Sequence, residues 1–511
     1  MRNSLLALTI ISPLLLFTCK TTKQEPTQPN IIYILADDLG YGELGSYGQR
    51  KIETPSIDKL AESGMLFTQH YSGSPVCAPS RCVLLTGKHS GHAFIRGNHE
   101  WGERGDVWSY AEMIKHPELE GQYPLPEGTV TLGALLQDAG YKTAIVGKWG
   151  LGAPMSTGAP NKQGFDFFFG YNCQRVAHTY NPVHLWKNTE RIYTGNDTVA
   201  PGTKLKKGAD PYDEASYSDF WLDVYSPDMM FEEITGFINE NKDNPFFLYW
   251  ATTIPHLALQ APPEWVDHYV EKFGDEEPYT GDKGYFPHRY PHAAYAGMVS
   301  YLDHQVGLMV NLLKELGIYD NTLIIFTSDN GPSYTGGTDS PWFNSAGIFS
   351  EETDRVKGHV YEGGIRVPMI ASWPGMISPG TSTEHISAFW DVLPTLVEIV
   401  GAQTPLDADG ISFLSTLLGE GNQQEHDYLY WEFPSYQGQQ AVRMGKWKAI
   451  RKNIFQGNMD IELYNLESDP TESTNIADKY PEIITRMDSI MKAAHVPAEV
   501  ERFRFKELGD K

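Results

Sequence analysis

The chain has 511 residues, 41% of them hydrophobic and 12% aromatic, and a formal charge of −25. This composition excludes a disordered acidic chain, which would be poor in aromatic residues. The charge argues against nucleic acid as a partner, because phosphate binding needs a clustered basic surface, but it is compatible with a small anionic substrate in a locally cationic pocket. The length allows about three domains, or one large α/β core with an appendage.

The first residues have the pattern of an export signal. After a short positive start, residues 5–17 form an apolar run of h-region length, which is too short for a membrane-spanning helix of about 20 residues. Cys19 ends a segment that resembles a bacterial lipobox, although Thr18 stands where Gly, Ala or Ser is usual. We predict an export signal with lipobox over residues 1–19, a tether over 20–29, and a periplasmic or outer-membrane lipoprotein of a bacterium. Plain cleavage and a buried N-terminal helix are the alternatives.

Apolar runs and helical patterns alternate through the next part of the chain. The runs predict strands that are buried on both faces of a parallel sheet, at residues 30–36, 143–146, 246–250, 323–327 and 369–372. The helical patterns lie at residues 56–63, 131–139, 231–239, 294–316 and 388–400. This alternation predicts an α/β fold with a large mixed, mostly parallel sheet between layers of helices. In such a sheet, ligands bind beyond the carboxyl ends of the strands.

The pattern changes after about residue 406. Short runs typical of antiparallel strands and a closing helix follow, at residues 427–432, 441–451, 462–466 and 481–494. We therefore predict a catalytic domain over residues 30–406 and a smaller α+β domain over residues 407–511.

Acidic and amide side chains follow two of the predicted strands. Asp37 and Asp38 come directly after the first strand, and Asp329 and Asn330 come after the fourth. Adjacent carboxylates repel each other, and a hard cation between them converts that repulsion into binding. Oxygen ligands suit Ca²⁺ or Mg²⁺ and not Zn²⁺, which favours His or Cys. A helix cap or a solvated turn is the alternative interpretation of the Asp pair.

The most specific segment is CAPSRCVLLTG at residues 77–87. It resembles the signature of the type I, formylglycine-dependent sulfatases, which is Cys-x-Pro-Ser-Arg, three free positions and Leu-Thr-Gly; Lys88 stands where Arg is frequent. The resemblance extends from about residue 30 into the C-terminal region. It implies an alkaline-phosphatase-like fold, sulfate ester hydrolysis, and a maturing enzyme that oxidises Cys77 to formylglycine (3-oxoalanine). A geminal diol attacks with one hydroxyl and expels sulfate with the other, which splits one hard step into two. An inert buried Cys77 is the alternative.

The resemblance also implies ligands and catalytic groups. One Ca²⁺ ion would be held by the Cys77-derived oxygen together with Asp37, Asp38, Asp329 and Asn330. Arg81 would hold the formylglycine hydrate, and His256 would serve the leaving group. Lys148 and Lys357 would bind the sulfate group. Taken singly, the two lysines would be read as solvated charges and the histidine as a loop residue.

One position departs from the family pattern. Many members have Lys-Trp-His where this chain has Lys-Trp-Gly, ending at Gly150. That histidine contacts the formylglycine hydroxyl, so we predict that His178 replaces it or contacts the substrate, with a structural role as the alternative. Arg96 and Asn98 are further predicted substrate contacts. Cys82 and Cys173 could pair, but two buried thiols are favoured.

The leading hypothesis is an exported sulfatase that acts on a sulfated glycan or sugar, with galactose or N-acetylhexosamine sulfate as the suggested substrate. Its predicted partners are the sulfated carbohydrate, the maturing enzyme and a membrane reached through the lipid on Cys19, with no nucleic acid. Two alternatives stay open. One is a phosphoryl- or phosphonate-ester hydrolase of the same superfamily. The other is a catalytically silent glycan-binding lipoprotein, which only Gly150 supports.

Overall fold

The computed structural model describes residues 28–511. The predicted export signal, the predicted lipid site Cys19 and most of the predicted tether lie outside the described residues. Among residues 28–511, no helix has both the length and the apolar character that crossing a membrane requires.

An eleven-stranded sheet organises most of the chain. Its strands are β1 (Asn30–Ala36), β2 (Met65–Tyr71), β3 (Lys142–Lys148), β4 (Phe167–Tyr171), β5 (His184–Lys187), β6 (Glu190–Tyr193), β7 (Phe246–Ala251), β8 (Thr322–Ser328), β9 (Arg366–Ser372), β10 (Thr381–Thr383) and β11 (Ser387–Ala388). The order is β10-β2-β9-β8-β1-β7-β3-β4-β5-β6, with β11 paired to β2. The central strands β8, β1, β7, β3 and β4 are parallel, whereas β9 runs antiparallel to β8 and β2.

Helices cover both faces of this sheet, because its central strands are apolar on both sides. The helices are α1 (Pro55–Glu62), α2 (Cys77–Thr86), α3 (Tyr110–Lys115), α4 (Leu132–Asp138), α5 (Ser226–Asn241), α6 (Pro263–Phe273), α7 (Pro291–Glu315), α8 (Ser340–Phe343), α9 (Glu362–Ile365), α10 (Val392–Ile399), α11 (Leu414–Leu418) and α12 (Pro481–Ala494). Along β1, Tyr33 packs into the core that contains α2, α4 and α10. The next residue, Ile34, packs into the core that contains α1, α5, α6 and α7.

A separate antiparallel sheet follows the large one. It contains β12 (Leu429–Phe433), β13 (Gln439–Met444), β14 (Trp447–Lys452) and β15 (Glu462–Asn465), in that order. Met487 and Met491 of α12 pack into a small core with this sheet. The sheet is also attached to the main body, because Trp431 Nε1 donates to the carbonyl of Ser72 and the buried Lys448 pairs with Glu362.

The predicted fold class is confirmed. Each of the five predicted strands and the closing helix is present, but the predicted strand at 441–451 is two strands that turn at Gly445. The sequence analysis missed β2, because its Thr, Gln and His residues interrupt the apolar run, and the hairpin of β5 and β6, because β6 is half-exposed. Cys82 and Cys173 are buried free thiols and do not form a disulfide, which is the alternative that the sequence analysis favoured.

Candidate active site

The carboxyl ends of β1 and β8 lie side by side, because the two strands are parallel neighbours in continuous register. Asp37 and Asp38 therefore meet Asp329 and Asn330 at one edge of the sheet, and all four side chains are buried. The backbone N–H of Asp38 donates to Asp329 Oδ1 at 3.1 Å, and Asn330 Nδ2 donates to Asp38 Oδ1 at 2.8 Å. The sheet register thus brings the predicted oxygen ligands together.

Cys77 is the first residue of α2 and faces these acids. Its Sγ lies 3.2 Å from Asp37 Oδ1 and 3.9 Å from Asp38 Oδ1. The next residue is fixed from outside the helix, because the backbone N–H of Ala78 donates to Asn98 Oδ1 at 2.8 Å. Burial and the Asp37 carboxylate raise the pKa of the Cys77 thiol, which is therefore protonated at neutral pH.

Three cations face the three carboxylates. Arg81 Nη2, one turn into α2, lies 3.0 Å from Asp329 Oδ2 and 3.3 Å from Asp37 Oδ2. Lys148 Nζ, at the end of β3, lies 2.6 Å from the same Asp37 oxygen. The third cation is Lys357, whose Nζ lies 2.5 Å from Asp38 Oδ2. Arg81 also donates to the carbonyl of Lys148, so the helix and the strand end are held together.

The acids still repel one another. Burial and the Asp37 charge raise the pKa of Asp329. Burial also opposes the ionisation of Asp37, but the charges of Lys148 and Arg81 outweigh it and hold the pKa of Asp37 below its usual range. A cation placed among these carboxylates would relieve the repulsion.

The donors around Cys77 fit a hard metal ion. Asn330 Oδ1 is buried and has no hydrogen-bond partner among the described residues, although buried polar atoms are normally paired. One ligand atom from each of Asp37, Asp38, Cys77 and His256 lies within 4.8 Å of the others. The carboxylate oxygens of Asp37 and Asp38 and the amide oxygen of Asn330 are of the kind that Ca²⁺ prefers in proteins.

Two histidines lie side by side above this cluster. The Nδ1 of His256 lies 2.6 Å from the carbonyl oxygen of Leu257, so this nitrogen carries the proton and Nε2 faces Asp38 Oδ2 at 3.7 Å. The His178 ring stacks on the His256 ring with centroids 5.0 Å apart, and Tyr285 packs against both. Burial lowers the pKa of both histidines, and the nearby lysines lower it further.

A pocket of about 450 Å³ opens onto these groups. It is lined by residues from the main domain and from the end of β12, namely Val76, Cys77, Asn98, His99, Glu100, Trp108, Gln174, Arg175, His178, His256, Tyr285, Lys357, Phe433, Ser435 and Tyr436. Two larger clefts, of about 740 and 860 Å³, lie mostly on C-terminal residues and contain none of the predicted catalytic groups. The smaller pocket is therefore the candidate active site.

Most of the predicted site residues come together here, but Arg96 does not. Its guanidinium is buried against Glu432 and donates to the carbonyl of Val496. We therefore correct the prediction that Arg96 contacts the substrate, because its charge is used to attach the C-terminal sheet. Asn98 does line the pocket, and its contact with Ala78 also fixes the start of α2.

The structure shows what occupies the space next to Gly150. The Gly150 backbone is left-handed (φ +80°), and a Cβ at this position would lie 2.5 Å from Gln174 Nε2. The Gln174 side chain therefore fills the space into which a longer residue at position 150 would project. Sequence reasoning missed Gln174, Arg175, Trp108 and the other wall residues because no local spacing connects them to the nucleophile segment.

Comparison with protein families gives two matches. The family model described as Sulfatase matches residues 29–402. A second model, described as N-sulphoglucosamine sulphohydrolase, C-terminal, matches residues 354–496.

Individual relatives agree with these matches. The N-acetylgalactosamine-6-sulfatase of Canis lupus familiaris is 32% identical, over 83% of this chain and 72% of its own length. The N-acetylgalactosamine-6-O-sulfatase of Bacteroides thetaiotaomicron is 27% identical, over 93% of this chain and 94% of its own. Among solved structures, Ps i-CgsB in complex with k-i-k-neocarrahexaose superposes with a TM-score of 0.70 at 27% identity, and covers 92% of this chain and 93% of its own.

Proposed function

The chain belongs to the sulfatase family and is a sulfuric ester hydrolase, and on this premise we propose that it removes sulfate from a sulfated glycan through a formylglycine formed at Cys77. The observation that carries the proposal is the position of Cys77, which faces Asp37 and Asp38 in the same pocket as Lys357 and His256. Galactose or N-acetylhexosamine sulfate is the proposed sugar. The support is that two relatives are named for N-acetylgalactosamine sulfates and a solved relative holds a neocarrahexaose.

Each cationic residue has a proposed task. Lys148 and Lys357 donate to the sulfate oxygens and stabilise the charge that spreads over them in the transition state, which is usually the largest catalytic contribution. Arg81 holds the hydroxyl groups at position 77 and neutralises Asp37 and Asp329. The Nδ1 contact with Leu257 fixes the His256 ring, so Nε2 would take a proton from water and pass it to the leaving oxygen.

The residues around position 77 fit a metal ion and a formylglycine. We propose that one Ca²⁺ ion is held by the oxygen derived from Cys77 and by the side chains of Asp37, Asp38, Asp329 and Asn330. Without an ion, the charges of the three carboxylates and three cations cancel, so a divalent ion would give the site a charge of about +2 and attract an anionic ester. Formylglycine would supply a geminal diol whose second hydroxyl expels sulfate.

His178 is proposed as the group that assists expulsion of the sulfate. The support is its ring contact with His256 and its place in the lining of the pocket. Gly150 offers no side chain for this task, and Gln174, which fills the adjacent space, is not a base.

We also propose export with lipid on Cys19, and oxidation of Cys77 by a sulfatase-maturing enzyme. The support for export is the sequence of residues 1–19 alone. Replacement of Cys19 by Ala should release the protein from the membrane fraction. Retention of the Cys19→Ala variant in that fraction would contradict the anchor.

The first experiment is mass spectrometry of the peptide that contains Cys77, from protein produced with a sulfatase-maturing enzyme. We expect an aldehyde at position 77, and loss of sulfate release in Cys77→Ala with the fold intact. Cys82→Ala is the matched control, because Cys82 is a buried thiol of the same helix that does not line the pocket. An unmodified thiol, with a known sulfatase converted in the same cells, would contradict the proposal. A panel of phosphate and phosphonate esters tests the alternative hydrolase activities.

A further inference from the structure

One wall of the pocket carries N–H groups that no other residue uses. The Nε2 of Gln174 and the Nε of Arg175 are both buried, and neither has a hydrogen-bond partner among residues 28–511. Gln174 is only 5% exposed. Both residues line the same pocket as Cys77. Buried donors without partners are costly, so two in succession on a pocket wall point to a ligand.

Arg175 differs from two buried arginines, Arg81 and Arg96, in its charge partners. Arg81 and Arg96 each pair with a carboxylate, whereas Arg175 forms no ion pair and no side-chain hydrogen bond within the part of the chain that the structure describes. Glu100, a carboxylate on which the Arg175 charge acts, is engaged by Gln122 Nε2 and by the thiol of Cys173. Burial raises the pKa of Glu100 to about 7, which reduces its charge at neutral pH. The positive charge of Arg175 is therefore available.

An exposed aromatic ring lies beside this charge. The guanidinium carbon of Arg175 is 5.7 Å from the centre of the Trp108 ring, and Trp108 is 58% exposed although it lines the pocket. An indole face binds the apolar face of a sugar ring. A guanidinium beside it presents a planar fork of donors that matches the geometry of a carboxylate or a sulfate.

We infer that Arg175 and Trp108 form a second subsite, which binds an oxyanion on the substrate other than the sulfate that is hydrolysed. This inference rests on the proposed function and narrows it to sugars that carry two oxyanions. The second oxyanion is a sulfate or a carboxylate, since both offer the same paired oxygens to Arg175. The sugar ring that carries it packs on Trp108.

The test measures binding without turnover. In the Cys77→Ala background, calorimetry gives the Kd for three probes: a monosulfated hexosamine, its disulfated form, and the monosulfated sugar joined to a uronic acid. We expect at least one of the two dianionic probes to bind more tightly than the monosulfated one. Adding Arg175→Gln should raise the Kd of that dianionic probe by about 10- to 100-fold, the range for a lost charge-assisted hydrogen bond. The Kd of the monosulfated probe should stay nearly unchanged. The probe that responds identifies the source of the oxyanion.

Controls separate this subsite from a structural role. Arg486→Gln, on the exposed face of α12, should change none of the three dissociation constants. If Arg175→Gln raised the Kd of all three probes equally, the inference would be overturned. The same holds if the substitution changed no Kd, or if none of the three probes bound. Failure of the proposed function would appear elsewhere, as an unmodified Cys77 and no sulfate release from the Cys77-containing enzyme.

Discussion

The floor and the rim of the pocket are built in different ways. At the floor, Asp37, Asp329 and Cys77 are buried, they follow strands or begin a helix, and each carboxylate has a cationic partner. At the rim, Trp108 and Tyr436 are 58% and 51% exposed and lie outside the strands and helices. The register of β1 and β8 fixes the floor, whereas loops shape the rim. This difference separates the chemistry, which the sheet determines, from the choice of sugar, which the loops determine.

The largest effect on turnover is expected when a charge is removed from the floor. Lys357→Ala leaves Asp38 without its cationic partner and removes a proposed donor to the sulfate oxygens, so we expect kcat/KM for sulfate release to fall by about 10²- to 10³-fold. Lys446→Ala, an exposed lysine of the C-terminal sheet, should have no effect. Unchanged turnover in a folded Lys357→Ala enzyme would show that the floor does not bind the sulfate.

His178 lies between the floor and the rim, and its replacement tests to which of the two it belongs. If it moves a proton, His178→Ala should lower kcat by at least about 10²-fold, the low end for acid–base groups. A change confined to KM would assign it to the rim as a substrate contact. Steady-state kinetics of sulfate release distinguishes the two results. His268→Ala, an exposed histidine of α6, is the control.

A smaller effect is expected at the rim. Tyr436→Ala removes an aromatic face from the pocket, so we expect KM to rise by about 3- to 10-fold, the range for one aromatic contact, with kcat nearly unchanged. Tyr212 is 52% exposed and does not line the pocket, so Tyr212→Ala is a closely matched control. A loss of kcat in Tyr436→Ala would mean that the rim also positions the catalytic groups.

The last prediction concerns stability and not turnover, at Glu100, a buried acid of the wall. Burial raises its pKa to about 7 in the folded protein, so the folded state holds this proton more tightly than the unfolded chain. The contribution of Glu100 to stability is therefore present below about pH 4.5 and is lost as the pH rises through 7, by roughly 1 to 3 kcal/mol.

Glu100→Gln should remove the loss of stability that Glu100 causes as the pH rises from about 4.5 to 7. Thermal unfolding of the variant and the wild type between acidic and mildly alkaline pH measures it. Glu127 is exposed, so Glu127→Gln should show the same change of unfolding temperature with pH as the wild type. If Glu100→Gln also showed the wild-type change of unfolding temperature with pH, another group would be responsible for that pH dependence.

The floor could be predicted from sequence because its signals are local. Asp37 and Asp329 directly follow apolar runs, and Cys77 lies within an eleven-residue signature. The rim could not be predicted, because Gln174 reaches Gly150 through the non-local pairing of β3 with β4, and β4 was not among the predicted strands. Arg96 was misassigned for the same reason, since its partner Glu432 is 336 positions away in the chain.

The burial of Cys77 has a consequence for the timing of maturation. The residue is 1% exposed and every residue of α2 is buried, so an enzyme that needs access to this segment has to act before the fold closes over it. The end of β12, which completes the pocket, is made much later. At about 5 to 20 residues per second, synthesis of the chain between Cys77 and Phe433 takes roughly 20 to 70 s. The proposed oxidation therefore has a window set by the length of the chain, and a variant that folds early would escape activation.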